Sequence, residues 1–282
     1  MLVLERAHAK INLALHITGR RQDGYHELDS IVAFADVADV LTIAPAAEVS
    51  LNLAGPFAGA LDGEGGNSVI SAWNLLDDFS RRKGAPIPPV KFQLEKNLPV
   101  ASGIGGGSAD AAAALRGLIR CFELSVTPDD LSELALRLGA DVPVCLLQQS
   151  SRMRGIGEII EPAAVDLPEA IVLVNPMIPA QTSRVFESLN LEPGQTFGAG
   201  IVNLHDIGSW RNDLTAPAVR LVPEIAEVIG SLNSRPEIIC SRMSGSGATC
   251  FGVFESLGAA QTAAESIAEK HPAWWVAATT LR

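Results

Sequence analysis

The chain opens with a segment in which apolar and polar residues alternate. Apolar residues occupy every second position from Ala7 to Ile17, and the positions between them include Lys10 and Asn12. Because the side chains of a strand point alternately to its two faces, this pattern predicts a β-strand with Lys10 and Asn12 as neighbours on its polar face. The pattern alone leaves open a plainer interpretation, in which Lys10 is a solvated strand lysine.

A helix with recognisable ends is predicted between Thr127 and Gly139. Thr127 is a typical N-cap residue, Pro128 suits the first helical position, and Gly139 ends the pattern. Asp141 follows and is itself followed by an apolar run. A carboxylate at such a junction must be capped, paired or catalytic, so Asp141 either caps a short helix beginning near Val142 or has a functional role.

Four glycines lie between Gly103 and Gly107, directly before an alanine-rich segment that predicts a helix. Glycines let backbone N–H groups approach an anion closely, and the start of a helix directs its positive end there, so the segment is typical of a phosphate-binding loop. It is neither a Walker A loop, which ends in Lys-Ser/Thr, nor a Rossmann Gly-x-Gly-x-x-Gly loop. A flexible surface turn is the alternative interpretation.

A second glycine cluster, from Ser244 to Gly247, separates two segments that read as strands, 237–241 and 250–254. It is longer than a tight hairpin requires, and its hydroxyl and amide groups suit a second anion contact. A simple hairpin turn remains the alternative.

The only tyrosine of the chain, Tyr25, stands beside His26 after a polar turn that ends in Asp-Gly. Taken alone, the two residues could be an ordinary flank of that turn.

Composition limits the possible functions. The 282 residues are 48% hydrophobic and 19% charged, which predicts a folded chain of two domains or one large domain. A formal charge of −11 disfavours nucleic acid and anionic lipid as partners, and no apolar run is long enough for a membrane span or a signal peptide. We therefore expect a cytosolic protein. The four cysteines are scattered, so we expect reduced core thiols and no zinc site or disulfide.

Five segments together resemble the GHMP kinase superfamily: 9–13, 21–26, 99–112, 138–143 and 243–249. The element Asp23-Gly-Tyr-His26 narrows the resemblance to a kinase of the non-mevalonate isoprenoid pathway that acts on a cytidine diphosphate sugar alcohol. The resemblance implies an α+β fold of two domains, 1–155 and 156–282, with the active site in the interdomain cleft.

The resemblance also implies ATP as the phosphoryl donor and a small molecule as the acceptor. Asp141 would be the general base that takes the proton of the attacking 2-hydroxyl, with Lys10 as its partner. The residues implied to bind the nucleotide are Asn67, Pro99, Val100, Ala101, Ser102, Gly103, Ile104, Gly105, Gly106, Gly107 and Ser108. Those implied to bind the acceptor are Asn12, Tyr25, His26, Phe186, Ser244, Gly245, Ser246 and Gly247.

One position departs from the family pattern, because Ala109 stands where many members have a second serine. The sequence contains no cluster of carboxylates that is typical of a dedicated metal site, so Mg²⁺ is expected to arrive with ATP. The alternatives are another GHMP kinase, acting on mevalonate or homoserine, and a non-catalytic nucleotide-binding regulator. The sequence does not decide between a monomer and a homodimer.

Overall fold

The structure is a computed structural model that describes residues 1–61 and 66–282. Its elements run in chain order as β1 (Val3–Arg20), β2 (His26–Pro45), β3 (Ser50–Ala54), α1 (Ser68–Arg82), β4 (Val90–Glu95), α2 (Gly106–Phe122), α3 (Pro128–Leu138), α4 (Val142–Leu147), β5 (Ser151–Gly155), β6 (Ile159–Pro162), β7 (Ala170–Asn175), α5 (Thr182–Glu187), α6 (Thr215–Leu221), α7 (Glu224–Asn233), β8 (Ile238–Met243), β9 (Cys250–Phe254), α8 (Leu257–Lys270) and β10 (Trp275–Thr280). None of the helices in these two ranges is both long and apolar enough to cross a membrane.

The helices and strands that were predicted from short sequence signals are present in the structure. The predicted helix is α3, and the Thr127 hydroxyl accepts the backbone N–H of Asp130 at 3.1 Å. The short helix α4 begins at Val142, as expected. The two strands around the second glycine cluster are β8 and β9, which pair antiparallel. All four cysteines are free thiols, and three of them are buried, whereas Cys240 is half-buried.

Strand β1 differs from the prediction in its burial. Both of its faces are covered over most of its length, and Lys10 and Asn12 are each only 4% exposed. The interpretation of Lys10 as a solvated strand lysine is therefore wrong. An ammonium group removed from water requires polar partners, so its burial is a constraint on whatever surrounds it.

The described residues form two compact units. Unit 1 comprises Met1–Ala9, Val37–Val100 and Gly105–Leu147. Within it, the last part of β2 pairs antiparallel with β4, and β4 pairs parallel with β3. Helix α1 packs against α2, and α2 packs against α4.

Unit 2 comprises Lys10–Asp36, Ala101–Ile104 and Gln148–Arg282. Its sheet has the strand order β10-β7-β9-β8, with every pair antiparallel. The first part of β2 pairs with β5, which in turn pairs with β6. Leu15 and Ile17 of β1 join the hydrophobic core of this unit.

Helix α2 is packed closely against the strands of unit 1. Its alanines from Ala111 to Ala114 are no more than 2% exposed. A Cβ atom added to Gly117 would lie 2.5 Å from Cδ1 of Ile43, which belongs to β2. Small residues are therefore required on this face of α2, because they allow the helix to approach β2 at a distance that larger side chains would prevent.

A buried cluster of three charged side chains joins α2 to the strands of unit 1. Lys96, directly after β4, contacts Asp39 of β2 at 2.5 Å and Asp110 of α2 at 2.7 Å. Oδ1 of Asp39 accepts the backbone N–H groups of Asn97 and Leu98, at 2.6 and 2.9 Å. Oδ1 of Asp110 is buried and has no hydrogen-bond partner among the described residues.

One ammonium group cannot fully compensate two buried carboxylates. Burial raises the pKa of Asp110 to about 7, and the charge of Asp39 adds to this effect against the attraction of Lys96. Although burial lowers the pKa of Lys96, the two carboxylates raise it by more, so the lysine stays charged. The unpartnered oxygen of Asp110 is consistent with a carboxyl group that holds a proton readily.

We predict that Asp110→Asn gains stability relative to the wild type as the pH rises. A carboxyl whose pKa is raised from 3.8 to about 7 by folding makes the wild type lose stability between those pH values. Asparagine does not titrate and keeps the shape of the protonated form. The melting temperature of the variant minus that of the wild type should therefore be larger at pH 8.5 than at pH 5.5, as measured by thermal unfolding.

Asp130→Asn is the matched control for this measurement. Asp130 bonds to Lys83 at 2.7 Å, and this hydrogen bond holds the pKa of Asp130 below its ordinary value. Its carboxylate is therefore ionised at both pH values, and the difference from the wild type should not change between them. A difference for Asp110→Asn that is equally independent of pH would contradict the assignment of a raised pKa.

Candidate active site

The predicted polar pair of β1 lies against both glycine clusters within unit 2. The backbone N–H of Lys10 donates to the carbonyl of Ile104 at 2.9 Å. The backbone N–H of Asn12 donates to Oγ of Ser244 at 3.0 Å. Three segments that are far apart in the sequence are thus brought together by hydrogen bonds of one strand.

The two glycine clusters also contact each other directly. Oγ of Ser244 donates to the carbonyl of Gly103 at 3.1 Å, and the N–H of Thr249 donates to the carbonyl of Ser102 at 3.0 Å. Gly103 has a φ of +77°, and a Cβ atom there would lie 2.6 Å from the carbonyl oxygen of Gly247. Glycine is required at position 103 both for this conformation and for the approach of the second loop.

The loop from Ser244 to Gly247 is therefore more than a hairpin turn. Its Ser244 hydroxyl accepts from Asn12 and gives its single hydrogen to Gly103, so the role that the structure shows for Ser244 is to join two segments. The carbonyl of Gly245 accepts from Nδ2 of Asn212 at 2.8 Å, and Ser246 bonds to Thr182 through their hydroxyls at 2.8 Å. A substrate contact of this loop stays a prediction.

Side chains that the sequence analysis missed hold this loop in place. Asn212 donates through Nδ2 to the carbonyls of both Met243 and Gly245. Nδ2 of Asn175, at the end of β7, donates to Oγ1 of Thr249 at 2.8 Å. Neither asparagine lies in a recognisable motif, so no local signal in the sequence identifies them.

The second half of the first glycine loop forms the start of α2 in unit 1. Gly105 is the N-cap in a left-handed conformation, and α2 begins at Gly106, followed by Gly107 and Ser108. The first N–H groups of a helix have no partner within the helix and attract anions. Nothing lies within 4 Å of the position of a Cβ atom on Gly107, so this glycine faces open space.

The residues that lead into the loop vary in exposure. Pro99 is buried, Val100 is half-buried, and Ala101 is exposed with a φ of +51°. Lys96 precedes them, and its Nζ lies 3.6 Å from the position of a Cβ atom on Gly106. The buried charge cluster of Lys96, Asp39 and Asp110 therefore supports the first turn of α2 from within unit 1.

Two other predicted residues of unit 1 lie at the beginnings of helices. Asn67 is the N-cap of α1, and its Oδ1 accepts the N–H of Val69 at 2.9 Å. Asp141 is half-buried and immediately precedes α4, where its carbonyl accepts the N–H of Cys145 at 3.2 Å. Contacts of Asn67 with adenine and the catalytic role of Asp141 stay predictions.

An aromatic pair lies in unit 2. The rings of His26 and Phe186 are tilted at 38° with their centroids 5.1 Å apart, and Tyr25 is 61% exposed. Burial, and secondarily the charge of Arg20, lowers the pKa of His26. A neutral imidazole results at pH 7, and its buried Nε2 has no partner among the described residues. This nitrogen is available to a ligand that completes its hydrogen bonding.

The start of α2 in unit 1, and the two polar side chains of β1 in unit 2, are each of a kind that suits phosphate chemistry. The N–H groups at the start of α2 supply a positive field, and within unit 2 the backbone of Gly103 is fixed by its contacts with Ser244 and Gly247. A buried lysine and a buried asparagine lie on the strand that these contacts hold. Phosphoryl transfer depends mainly on such positioning and on neutralising charge.

Comparison with known proteins identifies the family of the chain. The family model described as GHMP kinases N terminal domain matches residues 67–149, and the model described as GHMP kinases C terminal matches residues 186–273. The 4-diphosphocytidyl-2-C-methyl-D-erythritol kinase of Agrobacterium fabrum is 47% identical over 286 residues, which cover 98% of this chain and 95% of the relative.

Solved structures give the same result. The crystal structure of a 4-(cytidine 5'-diphospho)-2C-methyl-D-erythritol kinase has a TM-score of 0.82 and 33% identity over 99% of both chains. Homoserine kinase from Cytophaga hutchinsonii shares the fold, with a TM-score of 0.72 and 16% identity over 99% of this chain and 95% of that one. The predicted α+β GHMP kinase fold is confirmed, and the chain belongs to the 4-diphosphocytidyl-2-C-methyl-D-erythritol kinase family of the GHMP kinases.

Proposed function

We propose that this protein transfers the γ-phosphoryl group of ATP to the 2-hydroxyl of 4-diphosphocytidyl-2-C-methyl-D-erythritol, a step of non-mevalonate isoprenoid biosynthesis. The observation that carries the proposal is the attachment of Lys10 and Asn12 to both glycine loops through Ile104 and Ser244. This attachment fixes a cationic and a hydrogen-bonding side chain relative to a phosphate-binding backbone. The 47% identity to a kinase of that name supports the choice of acceptor.

The phosphates of ATP are proposed to bind to the loop from Ser102 to Ser108. The open space at Gly107 and the free N–H groups at the start of α2 fit an anion. No group of three or more His, Cys, Asp or Glu side chains that could hold a metal ion occurs among residues 1–61 and 66–282. We therefore propose that Mg²⁺ arrives with ATP and neutralises phosphate charge, while this chain supplies the backbone cradle.

Asp141 is proposed to be the general base, and Lys10 its partner. The base would take the proton of the 2-hydroxyl as that oxygen attacks phosphorus, and a lysine nearby would keep the aspartate ionised. The burial of Lys10 supports this role, because a lysine that is only 4% exposed cannot serve solubility. The two assignments rest on the family motifs that contain these residues.

The cytosine is proposed to bind beside Tyr25, His26 and Phe186. Aromatic rings offer stacking surfaces to a base, and the unpartnered Nε2 of His26 offers a hydrogen bond to its edge. The uridine analogue presents a different donor and acceptor pattern on that edge. We therefore expect the site to discriminate against uridine, because a mismatched edge leaves buried polar groups unpaired.

We also propose a cytosolic location and a division of the sequence into two domains, 1–155 and 156–282, although the compact unit 2 also includes Lys10–Asp36 and Ala101–Ile104. The matches to the N-terminal and C-terminal family models lie on either side of residue 155, which supports the division. Homoserine or mevalonate as acceptor is the alternative function. The likeness to homoserine kinase, at 16% identity, concerns the fold alone and does not favour that acceptor.

Acceptor specificity tests the proposed function directly. ADP release measured with a coupled assay should require the cytidine diphosphate substrate and should be absent with mevalonate or homoserine. The uridine analogue should be used at least about tenfold less efficiently. Asp141→Asn, checked for folding, should reduce kcat by on the order of 100-fold. Such a loss would show that the activity does not come from a contaminating kinase. Equal use of homoserine or mevalonate would overturn the proposal.

Gly107→Val tests the phosphate-binding loop. A valine side chain would fill the open space that ATP phosphate is proposed to occupy, so the Kd for ATP should rise by about tenfold or more. Isothermal titration calorimetry with ATP measures this effect. Gly230→Val is the matched control, because Gly230 lies within α7 and likewise has nothing within 4 Å of its Cβ position. Equal ATP affinity of both folded variants would show that the loop is a surface turn.

A further inference from the structure

The side-chain amide of Asn12 has a hydrogen-bond partner for its NH₂ group and none for its oxygen among the described residues. Its Nδ2 donates to Oγ of Ser30, on β2, at 2.8 Å. Its Oδ1 is buried and has no hydrogen-bond partner among the residues that the structure describes. Asn12 and Ser30 are 4% and 1% exposed, so water in bulk solvent does not reach this pair freely.

Ser30 determines which way the Asn12 amide faces. Oγ of Ser30 lies 2.6 Å from the carbonyl oxygen of Ala14. A carbonyl has no hydrogen, so the hydroxyl must give its single hydrogen to Ala14. Towards Asn12, Oγ can then only accept, and the group facing it must be the NH₂ of the amide. A flipped amide would place two acceptor oxygens in contact, so Oδ1 is directed away from Ser30.

The backbone of the same residue is also fixed. The N–H of Asn12 donates to Oγ of Ser244, whose hydroxyl hydrogen is given to Gly103. The hydroxyl of Ser244 therefore fixes the position of the Asn12 backbone, and the hydroxyl of Ser30 fixes the rotation of its side-chain amide. Each hydroxyl already donates its hydrogen to a carbonyl, so towards Asn12 it can only accept. The outcome is a buried acceptor, Oδ1, whose place and direction are both defined.

We propose that Ser30 is a positioning residue that presents Oδ1 of Asn12 to a hydroxyl of the alcohol substrate. This inference rests on the proposed function and adds a residue to it. An unpartnered buried acceptor requires a ligand that donates a hydrogen bond. The part of ATP that is proposed to bind the first glycine loop is its phosphates, whose oxygens are acceptors at neutral pH, whereas the sugar alcohol carries hydroxyl donors. Ser30 should therefore affect the alcohol substrate and leave ATP unaffected.

The test is steady-state kinetics of Ser30→Ala with both substrates. Alanine leaves the Asn12 amide free to rotate, so the KM for the cytidine diphosphate sugar alcohol should rise by about tenfold, which corresponds to the loss of one hydrogen bond. The KM for ATP should stay within about twofold of the wild type. Ser30→Thr, which retains the hydroxyl, should restore the KM of the alcohol.

Two further variants separate positioning from general damage. Ser151→Ala is the matched control, because Ser151 of β5 is equally buried and its hydroxyl donates to the carbonyl of Gln149 at 2.8 Å. It should change neither KM. In an Asn12→Ala background, Ser30→Ala should have no additional effect on the KM of the alcohol, because Ser30 acts through Asn12.

Three results would overturn the inference: an unchanged KM for the alcohol in Ser30→Ala, an equal rise in the KM of ATP, or an undiminished effect in the Asn12→Ala background. If Ser30→Ala does not fold, Ser30→Cys makes the same test, since its thiol is a weak acceptor. A wild type that does not use the cytidine diphosphate substrate would refute the proposed function instead. Normal wild-type activity with an unaffected Ser30→Ala would refute this inference alone.

Discussion

The contact on which the candidate site depends is the packing of one glycine backbone against another. Gly103 and the loop from Ser244 to Gly247 approach so closely that a Cβ atom on Gly103 would lie 2.6 Å from the Gly247 carbonyl, and one on Gly245 would lie 2.6 Å from the Gly103 carbonyl. The hydrogen bonds of β1 to Ile104 and Ser244 depend on this packing. It places Lys10 and Asn12 at a fixed position beside the first loop.

Buried charge is the second constraint, and it acts on the other half of the same loop. Lys96 holds Asp39 and Asp110 below the first turn of α2, in unit 1. Buried ion pairs are costly to desolvate, and a hydrophobic replacement is often as stable. Their position beneath the start of α2 is consistent with a role in fixing the direction of the helix start. One oxygen of Asp110 has no hydrogen-bond partner among the described residues, which adds to this cost.

Local signals made part of this structure predictable. Thr127, Pro128 and Gly139 gave the bounds of α3 because caps and stops depend on neighbouring residues only. The phosphate-loop interpretation of the first glycine cluster followed from residue types alone. The sequence does not show why position 103 must be a glycine. The requirement comes from a contact with residues about 140 positions later in the chain. Likewise, the alternating pattern of β1 predicted a polar face but not its burial, since burial depends on elements that pack later in the chain.

Hydrogen exchange of Gly103→Ala tests the dependence on this contact most directly. A methyl group at position 103 must displace the second loop, so the amides of Lys10, Asn12 and Thr249, which donate to Ile104, Ser244 and Ser102, should lose protection together. Amides of α3, such as that of Leu131, should keep the protection of the wild type. If the folded variant protects the three amides as well as the wild type does, the packing of Gly103 is not the constraint that holds the site.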